Sequence, residues 1–375
     1  MMHNNITVRP IHTKKEEMAF IWFQWKVYKG NPNWVPPLIT DRKKVIDKKK
    51  NPFYKHAEMQ LFLAECDGEV VGRIGAIVNN NHNKEHGENI GFFGFLECIN
   101  DQRVANALFD STRGWLQTRG VTAMRGPASP SVNDEYGLLV EGFDKPPAVL
   151  MPYNPPYYQQ LLESYGFTKA RDLFAYALQK DKVFSEKLVR LSEAVKKRQG
   201  LVIRTLNMKD FWNDIKKIHE LYTKAWSRNW GEVPLTDEEF HYMAKDLRWI
   251  VDPDLVIIAE LKGNPIGFGM TLPDINIVLK DNKRGYLIPG LFRLLLFKKR
   301  IDSVRIVILG VLPEYLNSGV GGLLFYETGR RGVAKGYPRG EASWVLEDNL
   351  MMNRGVELMG GEKTKTYRIY ELPIN

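Results

Sequence analysis

Cysteine is nearly absent. The 375-residue chain has two, Cys66 and Cys98, which excludes a disulfide-stapled scaffold and a four-thiolate zinc site. Long hydrophobic runs are missing as well. The most apolar window, Ile288 to Phe297, is interrupted by Arg293 and falls well short of the ~20 residues that span a bilayer. The N-terminus, MMHNNITVRP, holds no apolar stretch of signal-peptide length. No Gly-x-Ser-x-Gly elbow occurs, so serine-hydrolase chemistry has no foothold. His82 and His86 stand four apart, but the polar stretch Asn79–Asn83 reads as a loop and offers no third ligand, so no metal site is expected. These absences predict a soluble, cytoplasmic protein without membrane insertion and without a metal.

What is present is a globular composition: 44% hydrophobic, 26% charged and 11% aromatic residues. The length favours two domains, each with its own core. The net charge of +9 draws anions of several kinds, including nucleic acid and phosphorylated cofactors. The densest basic tract, Asp41 to Lys50, has six basic residues and no interleaved aromatic, which suits a solvated helix face better than a nucleic-acid footprint.

The strongest organisational signal is an internal duplication. Val8-Arg9-Pro10-Ile11 matches Ile203-Arg204-Thr205-Leu206 at an offset of 195, and at that offset Ala64-Glu65, Gly68 and Gly72 match Ala259-Glu260, Gly263 and Gly267. Asn33-Trp34 returns as Asn229-Trp230. Arg125-Gly126 with Ala128-Ser129 returns as Arg339-Gly340 with Ala342-Ser343, at an offset of 214. Asn154 and Gly166 match Asn349 and Gly361, back at 195. The drift and return of the offset place one insertion near 275–300 and another near 130–152. The expected division is a first domain over 1–180, an amphipathic connector helix over 181–200 carrying Phe184, Leu188, Leu191 and Val195, and a second domain over 201–375.

Each half alternates strands and helices. In the second half an edge strand at Leu201–Leu206 precedes a helix with Phe211, Ile215, Ile218 and Tyr222 in phase, and a shorter one spans Asp237–Leu247. A hairpin follows, Leu255–Glu260 with Ile266–Leu272, turning at Lys262-Gly263. The insertion reads as a helix with Leu291, Leu294 and Leu295 and a basic end, Lys298-Lys299-Arg300. A strand at Ile306–Leu312, a loop, a helix from Gly319 to Lys335, a strand at Glu341–Leu346, a helix at Asn349–Met359 and a strand at Lys365–Leu372 complete it. The fold class is a mixed-sheet α/β protein.

The chemistry points to Ile306–Tyr326, where an apolar strand runs through a loop into a helix whose first turn holds Gly319, Gly321 and Gly322. A helix N-terminus offers unpaired N–H groups and partial positive charge to a phosphate. The glycines admit two readings: they clear side chains from an anion, or they permit close helix packing. The spacing is neither a Walker loop nor the dinucleotide fingerprint.

Taken with the strand and the Asn349 helix that follow, Val311-Leu312-Pro313-Glu314-Tyr315 and the loop Leu316-Asn317-Ser318-Gly319-Val320-Gly321 resemble the GNAT (GCN5-related N-acetyltransferase) family. The resemblance covers nearly the whole second half, extends more weakly to the first, and is closest to bacterial tandem GNAT proteins. It implies two tandem GNAT-like domains and N-acyl transfer from acetyl-CoA or another acyl-CoA to an amine. It implies pantetheine pairing at Leu309, Gly310 and Val311. It implies pyrophosphate held by the amides of Leu316, Asn317, Ser318, Gly319, Val320, Gly321 and Gly322, with Asn349 and Asn353 near the pantetheine arm. The Val311 N–H would stabilise the oxyanion. Two departures stand out: Leu316 replaces the Arg or Gln that usually opens the loop, and Val356 replaces the Tyr that many members use as the acid. A thiol pKa near 8.5 makes CoA thiolate a tolerable leaving group, so that acid is more easily dispensed with than the base. Glu347 and Asp348 are the nearest carboxylates for the amine proton, or else acids serving the N-terminus of the Asn349 helix. Trp226, Asn229 and Trp230 would border the acceptor, although buried aromatic packing explains the tryptophans as well as substrate stacking does. The first-half loop, Cys98 to Arg103, lacks glycine and carries Asp101, so that half reads as a degenerate copy. Two other readings stay open: an aminoacyl-tRNA or acyl-carrier donor, and a non-catalytic acyl-CoA-binding protein.

Overall fold

The computed structural model describes residues 5–226 and 229–374. The first copy runs β1 (Ile6–Pro10), α1 (Lys14–Val27), α2 (Ile39–Ile46), β2 (Ala57–Cys66), β3 (Glu69–Asn79), α3 (Asn80–His86), β4 (Ile90–Cys98) and α4 (Gln102–Gln117). It continues with β5 (Ala123–Gly126), the short strands β6 (Ala128–Ser129), β7 (Glu135–Tyr136) and β8 (Leu138–Glu141), then α5 (Tyr158–Tyr165) and β9 (Thr168–Gln179). The second copy runs α6 (Glu186–Lys196), β10 (Leu201–Thr205), α7 (Phe211–Trp226), α8 (Asp237–Leu247), β11 (Val256–Leu261) and β12 (Asn264–Pro273). After the insertion helices α9 (Asn276–Leu279) and α10 (Leu287–Phe297) come β13 (Ser303–Val311), α11 (Val320–Ala334), β14 (Arg339–Leu346), α12 (Leu350–Leu358) and β15 (Glu362–Pro373). The expected elements appear within a few residues of their sequence-based bounds, in a mixed α/β fold.

The chain forms two compact units that interleave its segments. One comprises the residues up to Asp172, Leu279–Phe292 and those from Thr366 onward; the other is Leu173–Val278 with Arg293–Lys365. In the first unit the strand order is β1-β2-β3-β4-β5-β15, with β8 on β15. In the second it is β9-β14-β13-β12-β11-β10. The final strand of each copy thus completes the sheet of the other copy, which a linear division at 180–200 does not convey.

The repeated residues have repeated physical roles. Arg9 on β1 bridges Glu65 at 2.7 Å and also Glu16. Arg204 on β10 bridges Glu260 at 2.9 Å and both oxygens of Asp214 at 2.8 Å. Each arginine pins its copy's edge strand to the hairpin and to the helix that follows that strand. Gly68 and Gly263 sit at φ +83° and +82° in the hairpin turns, next to Asp67 and Lys262, which also have positive φ, as a two-residue turn of that handedness requires. A side chain at Gly72 would meet Leu108 of α4 at 2.7 Å, and one at Gly267 would meet Val311 at 2.8 Å and Leu324 of α11 at 3.2 Å. These glycines let a helix lie close on each sheet.

One match is displaced. Strand register links Ile77 to Phe92 to Arg125 in the first copy, and Leu272 to Arg305 to Glu341 in the second. Arg125 is therefore the structural counterpart of Glu341, and the Arg-Gly-x-Ala-Ser match at offset 214 is two residues out of register.

In the second unit, α6, α11 and α12 cover one sheet face, with Leu323, Leu324, Phe325, Val356 and Met359 meeting Ile306 and Leu309. α7 and α8 cover the other, with Phe211, Ile218, Leu221 and Tyr222 on Ile258 and Phe268.

Candidate active site

β13 is antiparallel to β12 along its length but pairs with β14 only over Ser303–Ile306 against Arg339–Ala342. Beyond Ile306 the two parallel strands part. Leu312 donates its N–H to Ile266 on the β12 side at 2.9 Å, so the alternation of a strand turns the N–H groups of Leu309 and Val311 toward the opening. The strand therefore supplies two backbone donors, one at Val311, at the mouth of a wedge.

The loop beyond it is a tight turn over Pro313–Ser318. Ser318 Oγ donates to the Tyr315 carbonyl at 2.6 Å and accepts the Val320 N–H at 3.2 Å, so one orphan donor of α11 is already satisfied. Leu316 and Asn317 are exposed, Ser318 and Gly319 half-buried, and Val320 buried. Gly319 takes φ +82° as it enters the helix, a conformation glycine adopts without strain. The three glycines do not share one task. A Cβ at Gly319 would meet Val195 at 2.8 Å, and one at Gly322 would meet Leu191 at 2.5 Å, both on α6. Those two glycines admit the connector helix. At Gly321 nothing lies within 4 Å, which leaves that position open to an approaching anion. Of the two readings of the glycines, close packing thus accounts for Gly319 and Gly322, and open space in front of the backbone is found at Gly321.

On the other arm of the wedge, Asn349 caps α12 by accepting the Met352 N–H at 3.1 Å. Glu347 is half-buried and Asp348 exposed, both just ahead of that cap. Asn353 is buried and committed: it donates to the carbonyls of Leu346 and Asn349 at 3.0 Å and accepts from Tyr176 at 2.7 Å. It locks the strand-to-helix corner, and its carboxamide is occupied within the protein.

Across the sheet, Trp226 stacks on Tyr222 at 5.1 Å between centroids and packs on Phe268. A Cβ at Gly310 would fall 2.4 Å from its ring, so the indole covers the strand one residue before Val311. Asn229 turns the chain beyond it, donating to the Trp226 carbonyl at 2.8 Å and accepting from the Glu232 N–H at 3.2 Å; Trp230, in that turn, is half-buried. Sequence reasoning missed Glu232. Its Oε1 accepts from Tyr222 at 2.7 Å, and burial pushes its pKa up to about 7, the range a general base needs. No local pattern marks it; burial supplies the signal.

The first copy shows the same parting of strands, with β4 and β5 paired only over Ile90–Phe92, but its wedge is filled. A Cβ at Gly94 would lie 1.7 Å from the Ala128 carbonyl. Phe95 N–H donates to Ser129 Oγ at 2.8 Å, and Cys98 N–H, the counterpart of Val311, donates to the Tyr158 hydroxyl at 2.8 Å. Tyr158 in turn donates at 2.7 Å to Glu97, which also receives Gln24 at 2.8 Å. Asp101 caps α4 by accepting the Arg103 N–H at 2.9 Å, placing a carboxylate where an anion would sit. His82 corrects a second expectation. Asn79 caps a true helix over Asn80–His86, and Gly87 ends it at φ +62°. The His82 ring is buried, bonded to Glu88 at 2.9 Å, with its pKa pushed down to about 4 by burial. Among the described residues no three His, Cys, Asp or Glu side chains gather to hold a metal.

Comparison with known proteins agrees with this geometry. No protein-family model matches the chain. Protein YghO of Escherichia coli is 36% identical over 98% of this chain and 95% of its own. The bacterial ceramide synthase of Caulobacter vibrioides is 37% identical over 98% and 97%. Among solved structures, a tandem GNAT protein from the clavulanic acid biosynthesis pathway superimposes with a TM-score of 0.57 at 12% identity, covering 99% of both chains. A GCN5-related N-acetyltransferase from Sphaerobacter thermophilus gives 0.55 at 14% identity, covering 99% of this chain and 96% of its own. The chain carries a tandem GNAT fold and belongs to the family of YghO and the bacterial ceramide synthase.

Proposed function

We propose that the protein is an acyl-CoA-dependent N-acyltransferase whose donor enters the second-copy wedge and whose acceptor is the amine of a long-chain amino alcohol. The observation that carries the donor reading is the parting of β13 and β14 past Ile306, with the Leu309 and Val311 N–H groups turned into the gap and Gly321 open at the helix terminus beyond. Pantetheine pairs with the free strand edge, and the pyrophosphate rests on the first-turn N–H groups of α11. The acceptor reading is carried over from the Caulobacter relative, named for ceramide synthesis; a ceramide is the amide of a long-chain amino alcohol.

In the reaction the neutral amine attacks the thioester carbonyl. The carbon–nitrogen bond forms, the Val311 N–H holds the developing oxyanion, and the carbon–sulfur bond breaks to release CoA thiolate. The ammonium proton goes to a carboxylate, Glu232 across the sheet or Glu347 on the strand end, with Asp348 beside it, and leaves as the thiolate is protonated by solvent. Trp226, Asn229 and Trp230 border the acceptor side.

Calorimetric titration of acetyl-CoA and a long-chain acyl-CoA, beside Gly321→Glu, tests the donor site. Micromolar binding that is lost in the variant, with its melting temperature unchanged, is expected; equal binding by both proteins refutes the placement. Thiol release with a long-chain amino alcohol tests the acceptor, and CoA binding without turnover over a broad amine panel would mark a binding protein instead.

A further inference from the structure

The insertion helix α10 turns its apolar side outward. Ile288, Leu291, Phe292, Leu295 and Leu296 recur at helical spacing on one face and are 50–78% exposed. The inward side is made by small or partly covered residues. Gly290 is buried, and a Cβ there would meet Asn282 at 3.0 Å and Leu38 at 3.1 Å. A stripe of five large aliphatic and aromatic side chains facing water is far from the usual surface of a soluble protein.

Charge brackets that stripe. Lys283 and Arg284 precede it, Lys298, Lys299 and Arg300 follow it, and all five are exposed. None of the five is in an ion pair among the described residues. Arg300 lies over the Phe297 ring at 4.4 Å, carrying its charge back toward the apolar end. At 11 residues the helix is about 16 Å long, roughly half the bilayer's hydrocarbon thickness, so it cannot span. It can lie in the interface, apolar face in the acyl region and bases among the headgroups.

We propose that α10 docks the protein on an anionic lipid bilayer. The stripe contains no polar side chain that would register a protein partner, whereas bases at both ends suit a planar negative surface. Each base near such a surface contributes about 1 kcal/mol, or roughly fivefold in partition. The proposal stands apart from the donor and acceptor readings, because adsorption is measured without turnover.

The test is flotation of the full chain with vesicles of equal parts phosphatidylethanolamine and phosphatidylglycerol, against vesicles of phosphatidylcholine alone. The wild type is expected to float with the anionic vesicles, with partition falling at least tenfold on phosphatidylcholine or in high salt. Leu291→Glu with Leu295→Glu should abolish flotation, and Lys298→Glu with Lys299→Glu should cut it at least tenfold. Lys49→Glu with Lys50→Glu, in the other basic tract, should leave it unchanged. These positions are exposed, so circular dichroism and melting temperature should not move. Flotation that survives the leucine changes, or an equal loss in the Lys49/Lys50 variant, overturns the proposal. So does a wild type that ignores both vesicles; if it is then a dimer split by Leu295→Glu, a second copy covers the face instead.

Discussion

Glu232 and Arg204 show how single side chains carry separate burdens. Glu232 has its pKa raised from 4.5 to about 7 by burial, so the folded protein holds a proton there that the unfolded chain gives up. The stabilising neutral form persists below pH 4.5 and is lost as pH rises through 7. Glu232→Gln should therefore gain stability relative to wild type at pH 8, by on the order of 2 kcal/mol, and lose that advantage at pH 4, as denaturant titrations at the two pH values would reveal. If Glu232 takes the amine proton, the same variant loses the rise of kcat/KM near pH 7; a retained rise removes Glu232 from the mechanism, and the turnover of Glu347→Gln then tests the other carboxylate. Arg204 neutralises Asp214, whose carboxyl its hydrogen bonds hold below the usual range against the opposing effect of burial. Arg204→Ala leaves the buried Asp214 uncompensated and should cost about 3 kcal/mol, read from the urea midpoint. Residues of this kind divide by legibility. Arg204 announced itself because Arg9 repeats it in a repeated context. Glu232 did not, because an isolated glutamate in a turn acquires its character from Tyr222, ten residues back, and from burial that no local pattern encodes.

At the level of elements, helix periodicity and glycine punctuation located nearly every strand and helix of the second half, and the wedge-forming strand was read to within three residues at its start and one at its end. What those signals cannot specify is which element lies against which. Gly322 reads identically whether it faces a phosphate or Leu191, and Leu191 is some 130 residues away. The consequence is a sharp contrast between neighbouring glycines. Gly319→Ala meets both a positive φ and Val195, and should cost roughly 1–2 kcal/mol; Gly321→Ala, at an open position inside α11, should be neutral or stabilise by up to ~1 kcal/mol and leave the fold intact. Thermal melts of the pair would measure the difference. The helix over Asn80–His86 escaped notice for the converse reason. Its seven residues are all polar, no apolar stripe marks it, and its existence rests on the Asn79 cap and the Gly87 terminus, devices that also occur in loops.

For the molecule as a whole, duplication was the most legible property and its resolution into units the least. The repeat implied a cut near residue 180, whereas Leu173–Gln179 pairs with β14 and Thr366–Pro373 pairs with β5 and β8. Hydrophobic pattern identifies a strand, but a strand buried on both faces pairs equally well in either sheet, and only the folded chain decides. A fragment ending at residue 361 should therefore unfold its first unit well below the full-length melting temperature, even though every other strand of that unit is present; a first-unit transition left in place would contradict the pairing.

That exchange also sets an order of manufacture. The sheet of the first unit, begun at β1, stays open along β5 until β15, far downstream in the second copy, has been made. For the interval of synthesis the nascent chain carries an unsatisfied strand edge. Chaperone dependence should accordingly track the rate at which the second half is translated rather than the first.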